Sequence, residues 1–256
     1  MEAEEGDQVN PRPAALFFLP NHDPATRYGH YFLSQSAREA SRYLLTAVLE
    51  GPDANRRGLM AAAEFYRPGL FVLLGHGGPG EFHGWGDELV MSVCSGDEVL
   101  SGAVVLALSC FTGARLGPDA VGKGALAYLG WREDFAWVAS EDMDPATDPY
   151  APAFFGPVQE MARVLYTGGT AGRAYGAYLS RMEEEVRRWS RSEDPNASLV
   201  VMVLLHDLEG AVLHGDPRAS VGAPARPVAR PAAAPLHALG AVALGGLMAA
   251  LAGWAA

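Results

Sequence analysis

The chain has 256 residues and 49% of them are apolar, enough for one domain of about 200 residues with extensions. Asp and Glu number 30 against 19 Lys and Arg, a net charge of −11, so nucleic acid is excluded as a main partner: phosphate binding needs a basic face. Two cysteines, Cys94 and Cys110, exclude a disulfide framework and a zinc ribbon, and suit a reducing compartment.

The acidic opening, residues 1–13, reads as a disordered, solvated lead without the features of a secretory signal. AALFFLP (14–20) is a short apolar run closed by proline, a buried strand. SQSAREASRYLLTAVLEG (34–51) has a serine start, helical spacing and a glycine stop, and predicts a helix. GLFVLLG (69–75), AVVLALS (103–109) and GALAYLGW (124–131) are continuous apolar runs, expected of strands buried on both faces. A helical region follows from about Ala153 to Trp189, interrupted by glycines at 168–176. SLVVMVLLH (198–206) fits either helix or strand, and GAVLHGDP (210–217) predicts a last strand and turn. The alternation predicts an α/β sandwich with a mainly parallel central sheet, over 14–221. In such sheets functional residues gather at the carboxyl ends of strands.

Residues 222–235, rich in Ala, Pro and Arg, predict an extended linker. The last 21 residues, 236–256, carry no formal charge, and a helix of that length spans about 30 Å, the thickness of a hydrocarbon core. Ala241, Gly245, Ala249 and Gly253 would align on one face, a helix-association pattern in lipid. With Arg218, Arg226 and Arg230 just before it, the segment predicts a C-terminal transmembrane anchor, in the cell inner membrane or another membrane. The folded domain would then lie on the cytoplasmic side, and the small-residue face would suit a homo-oligomer. The other reading is an Ala/Gly-rich soluble helix or tail.

FVLLGHGGPG (71–80) ends an apolar strand in a histidine among glycines. A P-loop is excluded because no Lys-Ser or Lys-Thr follows, and a serine-hydrolase oxyanion loop lacks its G-x-S-x-G nucleophile elbow. The third reading is a catalytic histidine. VVLALSCFTG (104–113) puts Cys110 directly after the next apolar strand, so two neighbouring parallel strands would bring His76 and Cys110 to one edge. A thiolate is a good nucleophile, and a nearby imidazole can manage its proton and that of the leaving group. The N–H groups of Gly77 and Cys110 could then face the developing oxyanion.

Strand–His–Gly followed by strand–Cys resembles the caspase-like (clan CD) cysteine peptidases, nearest the gingipain, clostripain and CHAT groups of bacteria. LGWREDFAWV (129–138) resembles the strand after their cysteine box, and LHGDPRASV (213–221) the turn closing their domain. The cysteine box lacks the Q-A-C-R-G form, so a caspase proper is excluded. The resemblance implies a caspase-like three-layer sandwich, Cys110 as nucleophile and His76 as acid/base, acting on a protein substrate. Bacterial defence or cell death is the setting it suggests. No third triad member is named by the sequence.

In these enzymes the loop after the first strand often lines the pocket for the P1 side chain. Here that loop, residues 20–31, offers Asp23 and Arg27. Asp23 at the pocket floor would select a basic P1 residue, the favoured reading, and Arg27 an acidic one. Equally, Asp23 before Pro24 would cap a turn or helix. Trp131 and Trp137 pack or line the cleft, and His83 could help to shape it. Cys94 reads as a structural or loop thiol. His22, His30, His206 and His214 have no metal-ligand spacing around them, and residues 140–148 lack the glycine and glutamate of a calcium loop, so no metal or cofactor is expected. The competing class is a catalytically silent scaffold at the membrane, in which His76 and Cys110 would lie apart.

Overall fold

The structure, a computed structural model, describes residues 13–222. Its centre is a six-stranded sheet of β1 (Ala14–Leu19), β2 (Leu45–Glu50), β3 (Leu70–Leu74), β7 (Val104–Leu108), β8 (Ala127–Trp131) and β9 (Ala211–Gly215), in the order β2-β1-β3-β7-β8-β9. All neighbours run parallel except β9, which is antiparallel to β8. Every residue of β1, β3, β7 and β8 is buried, which is why each is written as an unbroken apolar run.

Alternate side chains feed two cores. Phe17, Val72, Leu106 and Leu129 pack against α1 (Pro24–Ala40), α4 (Ala151–Tyr166), α5 (Ala171–Trp189) and α6 (Ala197–Gly210). Phe18, Phe71, Val105 and Tyr128 face α2 (Arg56–Tyr66) and α3 (Leu116–Gly122) on the other side. Helices on both faces of a mainly parallel sheet form a three-layer mixed α/β fold. A separate antiparallel sheet of β4 (His76–Gly78), β5 (Glu81–His83) and β6 (Leu89–Ser92) follows β3 directly. The short strands β4 to β6 and the Asn55-capped α2 have no counterpart in the sequence reading.

The helix expected over 34–51 is corrected. It starts ten residues earlier, where Asp23 caps α1, Pro24 occupies its first turn, and Asp23 and Thr26 exchange capping bonds. Leu45–Glu50 instead pairs with β1 along its whole length as the edge strand β2. That strand is only half buried, so its apolar spacing served a helical reading as well. The region 153–189 is two helices, broken where Gly168 takes φ +89° and Thr170 caps α5. The 198–206 run resolves to helix: Ala197, Val200, Leu204, Asp207 and Gly210 are its buried positions, spaced three and four apart.

Among the described residues no helix is long and apolar enough to cross a membrane. The acidic lead, the 222–235 linker and the 236–256 segment lie outside the described residues, apart from Pro13 and Gly222.

A candidate active site at the carboxyl edge of the sheet

Strands β3 and β7 are paired neighbours in register from Leu70↔Val104 to Leu74↔Leu108. The ladder closes with the Gly75 N–H donating to the Leu108 carbonyl at 3.3 Å. His76 and Cys110 each stand two residues past the last pair, so both leave the sheet at the same height. They wall one narrow cleft of about 60 Å³, together with Ala25, Thr26, Phe135, Trp137 and Phe155.

The turn after β7 is tightly built. Phe111 holds φ +61°, a left-handed conformation that costs a bulky residue about 1–3 kcal/mol. The Phe111 and Gly113 N–H groups donate to the Glu133 and Trp131 carbonyls, at 2.9 and 2.8 Å, and hold the turn on the strand beside it. Among the described residues no backbone carbonyl takes the Cys110 N–H. Gly77 lies directly against this turn: a Cβ there would stand 2.5 Å from the Cys110 carbonyl oxygen and 2.7 Å from Thr112 Cγ2. Only glycine permits that approach.

Cys110 is half-buried, with its Sγ 3.9 Å from the Phe135 carbonyl. Burial pushes its thiol pKa above the ordinary value. A backbone hydrogen bond from Phe135 to the sulfur opposes the shift, and the nearby Asp134 and Asp207 carboxyls add to it. The resting sulfur is therefore a thiol rather than a thiolate.

His76 is oriented from the other side. Its Nε2 lies 2.5 Å from Asp23 Oδ2. Asp23 is itself fixed, because Oδ1 accepts the Thr26 N–H at 2.8 Å and the Thr26 hydroxyl at 3.0 Å. Burial alone would raise the Asp23 pKa, but the His76 and Thr26 bonds outweigh it and hold the carboxyl below its ordinary value. A carboxylate at Nε2 keeps the proton there and leaves Nδ1 as the free base of the neutral ring.

The structure brings His76, Cys110 and Gly77 together and adds Asp23, for which the sequence offers a P1-pocket role or a cap; it caps α1 and also meets His76. Both Asp23 oxygens are engaged, by Thr26 and by His76. The placement follows from sheet order: β1 neighbours β3, so the loop after β1 lies beside the His76 turn. Arg27 is exposed on α1. Trp131 is a correction: it is fully buried, donating from Nε1 to the Tyr178 hydroxyl and the Asp207 carbonyl, and cannot reach a substrate. Trp137 lines the cleft instead, its ring tilted against Tyr28 and edge-on to Phe155. The loop that carries it is anchored by Asp148, which accepts from the Tyr28 hydroxyl at 2.6 Å and the Ser140 N–H at 2.8 Å. Cys94 is exposed, and His83 pairs across from His76 in the β4–β5 ladder.

Two further residues gather behind His76. His22 Nε2 lies 3.3 Å from Asp23 Oδ2 and 3.6 Å from Asp87 Oδ1, and His76 Nε2 lies 3.9 Å from Asp87 Oδ1. One donor atom from each of these four residues falls within 4.8 Å of the others, a set able to hold a metal ion. No motif announced it, since the four side chains come from three segments far apart in the chain, His22 and Asp23 being neighbours in one of them.

No family model and no curated protein matches the chain. Among solved structures it is similar to iotapain, a secreted C11 cysteine protease from Bacteroides thetaiotaomicron, at 8% identity and a TM-score of 0.35, over 84% of this chain and 92% of that one.

Proposed function

We propose that the protein is a caspase-like cysteine endopeptidase in which Cys110 is the nucleophile, His76 the acid/base and Asp23 the group that positions the imidazole. The observation that carries this reading is the shared cleft: His76 and Cys110 wall one narrow slot at the carboxyl ends of two adjacent strands, with His76 clamped from behind. Cys110 Sγ attacks the scissile carbonyl carbon, and the thiol proton passes by way of His76 to the leaving amine as the C–N bond breaks. Water then hydrolyses the thioester, returning the proton to sulfur and releasing the acid. The Cys110 N–H, with that of Gly77 beside it, is the donor set for the oxyanion.

The cleft beside Cys110 is walled by Leu74, Leu108, Phe135, Trp137 and Phe155. These walls favour a small apolar P1 side chain over the basic one expected from Asp23, whose carboxylate serves His76. Attachment to a membrane through 236–256, with protomers paired through its small residues, belongs to the same proposal. It would confine enzyme and protein substrate to one surface and raise their effective concentration.

The test is a fluorogenic peptide library with every residue at P1, cleaved by the full chain and by Cys110→Ala. Cleavage after small apolar residues that vanishes in the variant supports the proposal. Cleavage after Arg or Lys returns the pocket role to Asp23, and after Asp or Glu moves it to Arg27. No cleavage, together with a Cys110 inert to a peptidyl electrophile, supports the silent scaffold.

A further inference from the structure

We propose that His22, Asp23, His76 and Asp87 bind one divalent transition-metal ion of the zinc type, and that the ion holds the peptidase off by occupying His76 Nε2. The inhibitory half rests on the function proposed above. The binding half stands on the cluster alone.

The donor set is the first support. Two imidazoles and two carboxylates are the ligands that four-coordinate zinc takes, whereas calcium and magnesium require more oxygen. The two carboxylates also balance the charge of a divalent cation between two neutral rings. Ligands on a tetrahedral zinc ion stand about 3.3–3.5 Å apart, given bonds of about 2.0–2.1 Å. Four of the six separations, 2.5, 3.3, 3.6 and 3.9 Å, straddle that spacing, and all six lie within 4.8 Å.

His22 is the second, independent support. Both its ring nitrogens are shut off from solvent and neither makes a hydrogen bond, although carboxylate oxygens lie within 4 Å. A buried polar group without a partner is costly, and a coordinated ion would supply one. The His22 ring is held between His76, edge-on at 5.9 Å, and Trp85, at 5.4 Å, so it has little freedom to seek another. Asp87 is exposed and gives the ion a way in from solvent.

The consequence for catalysis follows from tautomer chemistry. Without metal, Nε2 carries the proton against Asp23, and Nδ1 can accept one. A metal on Nε2 selects the other tautomer, so the single proton of the neutral ring moves from Nε2 to Nδ1. No lone pair is then left to take the thiol proton.

The experiment treats the full chain with chelator and titrates it with Co²⁺, followed by absorption spectroscopy, and with Zn²⁺, followed by calorimetry. One ion per chain is expected, with the visible bands of a four-coordinate site and no sulfur-to-cobalt charge transfer. His22→Gln and Asp87→Asn should each weaken binding at least about 10–100-fold. Zinc should suppress cleavage by the unaltered chain, and each variant, judged against its own metal-free rate, should need correspondingly more zinc. No binding, binding unchanged by both substitutions, or a sulfur charge-transfer band overturns the site. Tight binding that leaves cleavage untouched overturns the inhibitory half. If the metal-free chain cleaves nothing, the peptidase proposal and the inhibitory half fall together, while the cobalt spectrum still decides the site.

Discussion

Gly77→Ala tests whether the contact between the two catalytic turns sets the geometry of the site. The added Cβ would stand 2.3 Å from Ser109 Oγ, 2.5 Å from the Cys110 carbonyl oxygen and 2.7 Å from Thr112 Cγ2. Ser109 can rotate away, but the Cys110 carbonyl is backbone, so relief demands that the turns separate by about 1 Å. Overpacking of this kind costs about 1–3 kcal/mol, a fall in Tm of about 2–4 °C per kcal/mol for a domain of this size. A displacement of about 1 Å at a reacting centre costs on the order of 10²-fold in rate. Gly78→Ala is the control one residue away, where a Cβ meets nothing within 4 Å. The assays are kcat/KM on the best library peptide, Tm by calorimetry, and the rate of Cys110 alkylation in a Cys94→Ser background, since Cys94 is exposed and would also react. Gly77→Ala should lose activity by far more than its Tm shift explains, and Gly78→Ala should match the unaltered chain. Equal behaviour of the two variants would refute the reasoning.

Asp23→Asn keeps a good N-cap for α1, so Tm should barely move, while the imidazole loses the partner that fixes its tautomer; kcat should fall by about 10²- to 10⁴-fold. Alkylation of Cys110 in the Cys94→Ser background should show its pH inflection above that of a free thiol, because burial disfavours the thiolate, and a normal inflection would contradict that environment. Asp207, whose Oδ2 is buried without a partner, has its pKa raised well above the ordinary value by burial, against the Ala136 N–H bond and with help from Asp134. Its folded state holds the proton more tightly than the unfolded chain, so its contribution to stability is full below the unfolded pKa and is lost as pH rises toward the folded one. Asp207→Asn, which keeps an acceptor for Ala136, should therefore gain Tm relative to the unaltered chain as pH rises from 4 upward; parallel pH profiles would contradict this.

The central strands were legible because β1, β3, β7 and β8 are buried on both faces and must be apolar throughout. The edge strand β2 was not: half exposed, its Leu-Thr-Ala-Val pattern suits either period, and only pairing with β1 decides it. His76 and Cys110 could be read as neighbours because each ends such a run. The Asp23–His76 pair could not, because it joins residues 53 apart in the chain through loops whose approach depends on sheet order. The same holds for His22 and Asp87. Trp131 and Trp137 are chemically alike in sequence. The odd position on a buried strand sends one to the core, and the loop beyond it sends the other to the cleft. The left-handed Phe111 has no sequence signal, since nothing in Ser-Cys-Phe-Thr-Gly asks for it.

The most direct test of the central claim is covalent labelling of the full chain with a peptidyl acyloxymethyl ketone that carries a small apolar P1 residue, mapped by tandem mass spectrometry. A single adduct on Cys110, lost in His76→Ala, is the result expected of the peptidase. Labelling of Cys94 in place of Cys110, or none on Cys110 in a folded protein freed of metal, would contradict it.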